Sequence, residues 1–455
     1  MGMALIASIS AILVLIFIGM SVPFCFLSGS LIYIFMTGAS TGTFVSTSYY
    51  ALDSFSTLAI PLFMIAGTLM EKSGIARTLI DLAEMILKKT KGGMGATIPL
   101  VSCFFGALSG SGTATVTTLG SMMAPRLTEL GWDKRYLAAF IAACGPLGYM
   151  IPPNMNAIIY TRVSSASVAA LFLATIIPGI LWTILYLIIN RYTYHHWYNP
   201  ENSVTAKIGM AGEQTAENGA TAKSIIVEEQ AADKLTIIKR AGVAFLMPVI
   251  IMGGIYSGIF TATEAGAVGC VYGLIVGVLI FKKMSLKEAF SSFIKTGSSL
   301  GSILIMFPMT LIFTRILVLN GVPGMVTQFI TGISSNKYVI ILIIDLVLIL
   351  AGCFLDAGVL LLVFTPLLLP TAAIIGIGEI QLGVMMFVAV GVGTITPPMA
   401  MNLFITGKIT GVEMMDMMKP LLPFLLFAAI PILILVTFVP AVSTFLPSLI
   451  LSGGM

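Results

Sequence analysis

Three groups of residues in this sequence could do chemistry, and all are set in apolar surroundings. One carboxylate, Asp356, stands in Phe354-Leu355-Asp356-Ala357-Gly358 between two strongly apolar runs. A string of hydroxyls and glycines, Ser109-Gly110-Ser111-Gly112-Thr113, divides another pair of apolar runs. Two proline pairs, Pro152-Pro153 and Pro397-Pro398, each follow a glycine-containing stretch. A carboxylate deep among apolar residues is costly and usually functional. It can equally cap the helix that follows, and a cap at such a helix end can also shape an ion site. Glycines let a chain turn tightly, and irregular backbone at membrane depth survives only where it lines a cavity or is buried in protein. The bland reading of the Ser-Gly string is a packing loop of small residues. It is no phosphate loop, because no Gly-Lys follows at the required spacing.

The proline pairs give the strongest signal. Gly145-Pro146-Leu147-Gly148 with Ile151-Pro152-Pro153-Asn154 interrupts one apolar segment, 136–161. Gly391-Val392-Gly393-Thr394-Ile395-Thr396-Pro397-Pro398 interrupts another, 380–407. Proline removes a backbone donor and clashes with an upstream carbonyl, so consecutive prolines after glycines should unwind about a turn. The freed carbonyls can ligate Na+, and the N-termini of the half-helices that follow favour an anion. A single kink is the alternative, but paired breaks at matching positions argue against it.

These groups need a particular frame. The chain has 455 residues, 58% hydrophobic and 9% charged, with mean hydropathy +1.06. Soluble domains carry about a quarter charged residues, so the bilayer is the expected solvent, with room for about ten spans of roughly 20 residues each. The net charge of +4 is spread over loops and argues against nucleic-acid binding. Residues 4–36 are uncharged and too long for a signal-peptide core. They are expected to stay in the membrane as one tilted helix or as two broken near Pro23.

The two halves match at a nearly constant offset. Ile151-Pro152-Pro153 corresponds to Thr396-Pro397-Pro398, and Ala124-Pro125 to Leu369-Pro370, both at 245 residues; Ser73-Gly74-Ile75 corresponds to Asn320-Gly321-Val322 at 247. An internal duplication follows: residues 1–190 form a first membrane repeat, 191–241 a polar cytoplasmic linker and 242–455 a second repeat. Within each repeat a re-entrant hairpin (94–125 and 338–375) precedes a broken helix. The first hairpin is flanked by Lys88, Lys89, Lys91, Arg126, Lys134 and Arg135, the second only by Lys337 and Glu379. The positive-inside rule therefore places the two hairpins on opposite sides, and inverted repeats are a transporter signature.

Other polar residues read less sharply. The five cysteines sit in apolar runs without paired spacing and read as small hydrophobes. His195 and His196 cap a helix at the interface rather than forming a metal site. Thr261 and Glu264 have capping-box spacing. Asp345 and Arg315 lie within apolar runs, either paired across helices or facing a cavity, and Arg162 after the first break either attracts an anion or sits at the interface.

Taken together, the string from Gly110 to Pro125, the Ile151-Pro152-Pro153 break, Gly352-Cys353-Phe354-Leu355-Asp356 and Thr396-Pro397-Pro398 resemble the large membrane subunit of TRAP transporters, from about residue 20 to 440. The resemblance implies an all-α, inverted-repeat elevator in the bacterial inner membrane, not an enzyme, importing a small carboxylate such as a C4-dicarboxylate or sialic acid. It implies Na+ as coupling ion near Ser109, Gly110, Gly145, Pro146, Gly148, Leu355, Asp356, Gly391, Gly393, Thr394 and Thr396. Substrate would lie among Ser109–Thr113, Pro152, Pro153, Asn154, Asp356, Thr396, Pro397 and Pro398. The implied partners are a small four-helix membrane subunit, expected as a separate chain, and an extracytoplasmic substrate-binding protein. Asn154 departs from the Ser frequent in the family and Ala262 from the common Pro, and the linker is long. A stand-alone anion transporter is the near rival. An intramembrane enzyme is remote, since the apolar segments hold no His and no paired carboxylates for acid–base work.

Overall fold

The computed structural model describes residues 2–87, 90, 92–202 and 234–451; most of the 191–241 linker, and Lys88, Lys89 and Lys91, lie outside the described residues. Among these the chain is helical. In order the helices are α1 (Gly2–Phe17), α2 (Val22–Thr37), α3 (Thr41–Leu52), α4 (Ala59–Lys72), α5 (Ile75–Leu87), α6 (Gly93–Ser109) and α7 (Gly112–Glu129). The short pieces α8 (Lys134–Cys144), α9 (Leu147–Met150) and α10 (Met155–Tyr160) follow, then α11 (Val168–Thr193). After the linker come α12 (Lys234–Tyr256), α13 (Ala262–Leu274), α14 (Leu286–Leu319), α15 (Val322–Ile333), α16 (Lys337–Phe354) and α17 (Ala357–Ile374). The chain continues through α18 (Glu379–Gly393), α19 (Met401–Thr410), α20 (Met414–Phe424), α21 (Ile430–Phe438) and α22 (Ala441–Leu451).

Among the described residues, eight helices are long and apolar enough to cross a bilayer, and shorter apolar helices such as α1, α2, α6 and α18 stand beside them. Large apolar side chains on the outside, Phe35 at 93% and Phe17 at 77% exposure among them, fit a lipid-facing surface. This is a multi-pass, all-α membrane architecture. Residues 4–36 are two helices, and the break falls at 18–21, where Gly19 adopts φ +87. Pro23 sits in the first turn of α2, where its missing N–H would be unpaired in any case.

The arms of the first hairpin run longer than the apolar pattern suggests. Their lengths are 17 and 18 residues, because α7 continues through Pro125 to polar residues at its far end. There Arg126 pairs with Glu84 at 2.9 Å. The arms of the second hairpin, α16 and α17, have 18 residues each and meet the length and hydropathy of a span.

Packing repeats in mirrored pairs. In the first half α6 packs on α9, while α7 packs on α19 of the second half; in the second half α16 packs on α18, while α17 packs on α10 of the first. Each hairpin therefore rests one arm on its own broken helix and the other on its counterpart's. The core between them is filled by large, fully buried side chains including Trp182, Tyr186, Phe140, Phe387 and Phe424. Of the other helices, α2, α3, α4, α13 and α14 pack on one another around this assembly, with α13 on α4 and α14 on α2 and α3. Capping boxes start α13 (Thr261 with Glu264) and α14 (Ser285 with Glu288).

Candidate functional site

The first hairpin turns at Gly110, in the left-handed region at φ +60. Ser111 then caps α7, its hydroxyl accepting from the Ala114 N–H at 3.4 Å and lying 3.2 Å from the Thr113 hydroxyl. Ser109 reaches the Thr115 hydroxyl at 3.4 Å, and Thr115 donates to the Ser111 carbonyl at 2.8 Å. The tip sits on the first break: the Met155 N–H donates to the Gly110 carbonyl at 3.2 Å. A Cβ on Gly110 would come within 2.7 Å of the Pro153 carbonyl oxygen, and one on Gly106 within 2.8 Å of Gly148 Cα. Glycine is required here by close backbone approach.

The first break is packed shut. Both Pro152-Pro153 and Pro397-Pro398 are cis, but Pro152, Pro153 and Asn154 are buried. Asn154 caps α10 by accepting from the Ala157 N–H at 2.8 Å and donates to Thr175 at 3.3 Å. The second break is more open: Thr396 and Pro397 are half-buried and Pro398 exposed. Its local bonds run backward, Thr394 donating to the Gly391 carbonyl at 2.9 Å and Thr396 to that of Val392.

Asp356 is exposed and caps α17, accepting from the Gly358 N–H at 2.9 Å. The offset of 245 that aligns the proline pairs also aligns Asp356 with Ser111. Both are N-caps of the second arm of a hairpin. Gly352 and Gly393 repeat the Gly106–Gly148 approach, since a Cβ on Gly393 would lie 2.7 Å from Gly352 Cα.

The two breaks face each other. A Cβ on Gly391 would lie 3.0 Å from both Pro146 Cβ and the Tyr149 hydroxyl, and one on Gly145 would collide with the Asn402 amide. Asn402 is 1% exposed and joins the halves. Its amide approaches the Thr394 hydroxyl at 3.3 Å and the Ala142 carbonyl at 3.5 Å, and its N–H donates to the Thr394 carbonyl at 3.0 Å. The first tip thus rests on its own break, the second hairpin meets its break at Gly352 and Gly393, and the two breaks touch through Gly145 with Asn402 and Gly391 with Pro146 and Tyr149. Replacing Asn402 by Leu should leave the Ala142 carbonyl and the Thr394 hydroxyl without this partner, lowering stability by about 2 kcal/mol. Thermal unfolding in detergent, read beside wild type, checks it.

Beside the first tip lies a cleft of about 350 Å³. Ser109, Ser111, Thr113 and Thr117 line one wall and Thr68 and Glu71 of α4 the other. Glu71 accepts from Thr118 at 3.2 Å. A Cβ on Gly67 would lie 3.1 Å from Ser109 Cα, so α4 presses directly on the tip. Sequence reasoning missed Glu71, Thr68, Asn402 and Tyr149. The first two face the tip only through tertiary packing. Asn402 follows the second break by a few residues, a signal that was present.

The polar residues inside the apolar runs find separate places. Asp345 does not pair with Arg315: it is 5% exposed and accepts from Thr437 at 2.8 Å, whereas Arg315 lines a separate cavity on α14. Arg162 donates to Ser54 and to the Tyr50 carbonyl, tying the end of α10 to α3. Cys25, Cys144, Cys270 and Cys353 are buried and free, Cys103 half-buried and free.

The family described as "Tripartite ATP-independent periplasmic transporter, DctM component" matches residues 9–442. The chain is 29% identical over 422 residues to the C4-dicarboxylate TRAP transporter large permease protein DctM of Pseudomonas aeruginosa, covering 93% of each. To the sialic acid TRAP transporter large permease protein SiaM of Vibrio cholerae it is 29% identical, covering 99% of this chain and all of that one. With the isethionate TRAP transporter permease protein DctMQ of Oleidesulfovibrio alaskensis it shares 32% identity over 88% of its length, but spans only 59% of that longer protein. Among solved structures, the YdaH transporter of Alcanivorax borkumensis overlays with a TM-score of 0.59 at 15% identity, covering 87% of both chains.

Proposed function

Because the chain belongs to the DctM family, the large permease subunits of tripartite ATP-independent periplasmic transporters, we propose that it imports a small organic oxyanion coupled to sodium. In this reading the body carrying both hairpins and both breaks moves as an elevator against α2–α4, α13 and α14, and both hairpins are re-entrant. The observation that carries it is the joining of two capped tips and two backbone interruptions into one cluster, with a hydroxyl-lined cleft beside it. Interrupted helices offer carbonyls to a cation and N–H groups to an anion at neighbouring points, which is what coupling one to the other requires.

Substrate class follows from chemistry shared by the relatives. Those relatives are named for isethionate, C4-dicarboxylates and sialic acid, a sulfonate and two kinds of carboxylate. The site recognises the oxyanion, and an extracytoplasmic binding protein selects which acid arrives. A small membrane subunit completes the assembly.

Energetically, each net positive charge carried inward gains about 2.3 kcal/mol per 100 mV, enough for roughly fiftyfold accumulation at about 1.4 kcal/mol per tenfold. Proteoliposomes holding this chain, its small subunit and its binding protein should take up labelled acid only under an inward sodium gradient. Equal uptake with sodium replaced by potassium would reject the coupling. Uptake by this chain with no binding protein present would favour a stand-alone anion transporter.

A further inference from the structure

A second cavity lies at the other end of the seam that holds the hydroxyl cleft. Its volume is about 580 Å³, and its walls come from α3, α14 and the residue just past α10. On α3 the polar lining residues are Thr43, Ser46, Thr47 and Tyr50, beside Ala51, at the i, i+3, i+4, i+7 spacing of one helix face. On α14 they are Leu311, Thr314, Arg315 and Val318, again one face. Arg162 closes the end.

Charge and donors in this cavity are one-sided. Two guanidinium groups line it, and none of its described lining residues is acidic; Asp53, the nearest acid along the chain, closes α3 and is not part of the wall. Arg162 spends its terminal nitrogens on Ser54 and the Tyr50 carbonyl, but its Nε is buried and has no acceptor. Arg315 is exposed toward the cavity from a stretch, Leu311–Leu319, that is apolar apart from it and Thr314, and a guanidinium there is costly without a purpose. Planar guanidinium donors match the oxygens of a carboxylate or sulfonate.

The cavity and the cleft share walls. Met155, which begins α10, lines the cleft, while Arg162, just past its end, lines the cavity. Ile303 and Arg315 of α14 do the same, about 18 Å apart at 1.5 Å per residue. Lys72 lies beyond the cleft at the end of α4, where Ser73 lies against Gly277 and Gly74 against Lys283. The segment there carries Lys282, Lys283 and Lys287, which marks the cytoplasmic side by the positive-inside rule. The arginine cavity therefore opens on the opposite, extracytoplasmic face.

We propose that the Arg162–Arg315 cavity is an entrance-side binding site for the oxyanion group of the transported acid, distinct from the hairpin tips. This rests on the function proposed above for its ligand class, and its occupant is the acid rather than a phospholipid headgroup. It holds the released anion on the extracytoplasmic side of the seam, and the hydroxyl groups of α3 keep the wall hydrated.

The test is chemical protection of Arg315. The full chain, purified with its small subunit into phosphatidylcholine nanodiscs, is treated with the arginine reagent phenylglyoxal, and modification of Arg315 is followed by peptide mass spectrometry. Sodium succinate or ethanesulfonate at about three times its dissociation constant should slow modification about fourfold, against sodium chloride at equal ionic strength. Arg162→Gln should return the rate to the chloride value. Protection no better than chloride overturns the site. Protection by phosphatidylglycerol in the disc, unchanged by added acid, assigns the cavity to lipid and also overturns it. Ser111→Ala separates the two readings: it should impair uptake while Arg315 remains protected by acid, and loss of that protection in Ser111→Ala refutes an independent site.

Discussion

Asp356→Asn is expected to cut sodium-driven uptake by roughly thirtyfold, corresponding to about 2 kcal/mol for a lost charge-assisted contact, while barely moving the melting temperature. The contrast comes from what the side chain does in the structure. Asp356 caps α17 through the Gly358 N–H, and Asn caps about as well as Asp. The substitution therefore keeps the helix start and removes only the charge. Asp356→Ala removes both and should add about 1 kcal/mol of destabilisation. If Asn transports like wild type while Ala fails, the carboxylate serves the helix alone and plays no part in sodium binding. Ser111, which stands 245 residues earlier at the start of α7, offers the companion measurement, because it caps that helix without charge. Ser111→Ala should cost less stability than transport.

Gly110→Val should give the largest loss of all, removing folded protein and uptake together. Two penalties combine. A side chain in the left-handed region costs about 1–2 kcal/mol, and at φ +60 a β-branched residue is a genuine outlier. In addition, its Cβ would lie 2.7 Å from the Pro153 carbonyl oxygen. Backbone cannot yield as a flexible side-chain end would, so the tip must lift from the break. Overpacking of this kind costs about 1–3 kcal/mol more. Gly120→Ala is the control, since its nearest neighbour is the Ile409 side chain at 3.2 Å and that chain can shift. A Gly110→Val protein that melts and transports like wild type would show that the tip does not rest on the break as described.

Much of the architecture could be read before any coordinates. Apolar runs and scarce charge required a membrane protein, because only lipid is a good solvent for such a surface. Helix interruptions around Pro152-Pro153 and Pro397-Pro398 followed from proline chemistry, which acts locally and so is visible in a string of letters, although the helix before the second runs on through Gly391 to Gly393. The turn at Ser109–Thr113 and the cap at Asp356 are local in the same sense.

What the string of residues could not carry was distance. It could not show that Gly106 meets Gly148 and Gly352 meets Gly393, since any glycine is silent until a neighbouring backbone approaches it. It did not bring Glu71 and Thr68 to the first tip, or Asn402 across to Ala142, because those contacts join segments far apart along the chain. Asp345 and Arg315 looked like potential partners by charge alone, and packing gave one to Thr437 and the other to a cavity. Local covalent and hydrogen-bonding constraints wrote the elements and their breaks into the sequence itself. Their assembly around shared clefts was decided by side-chain packing between remote helices, which no single segment encodes.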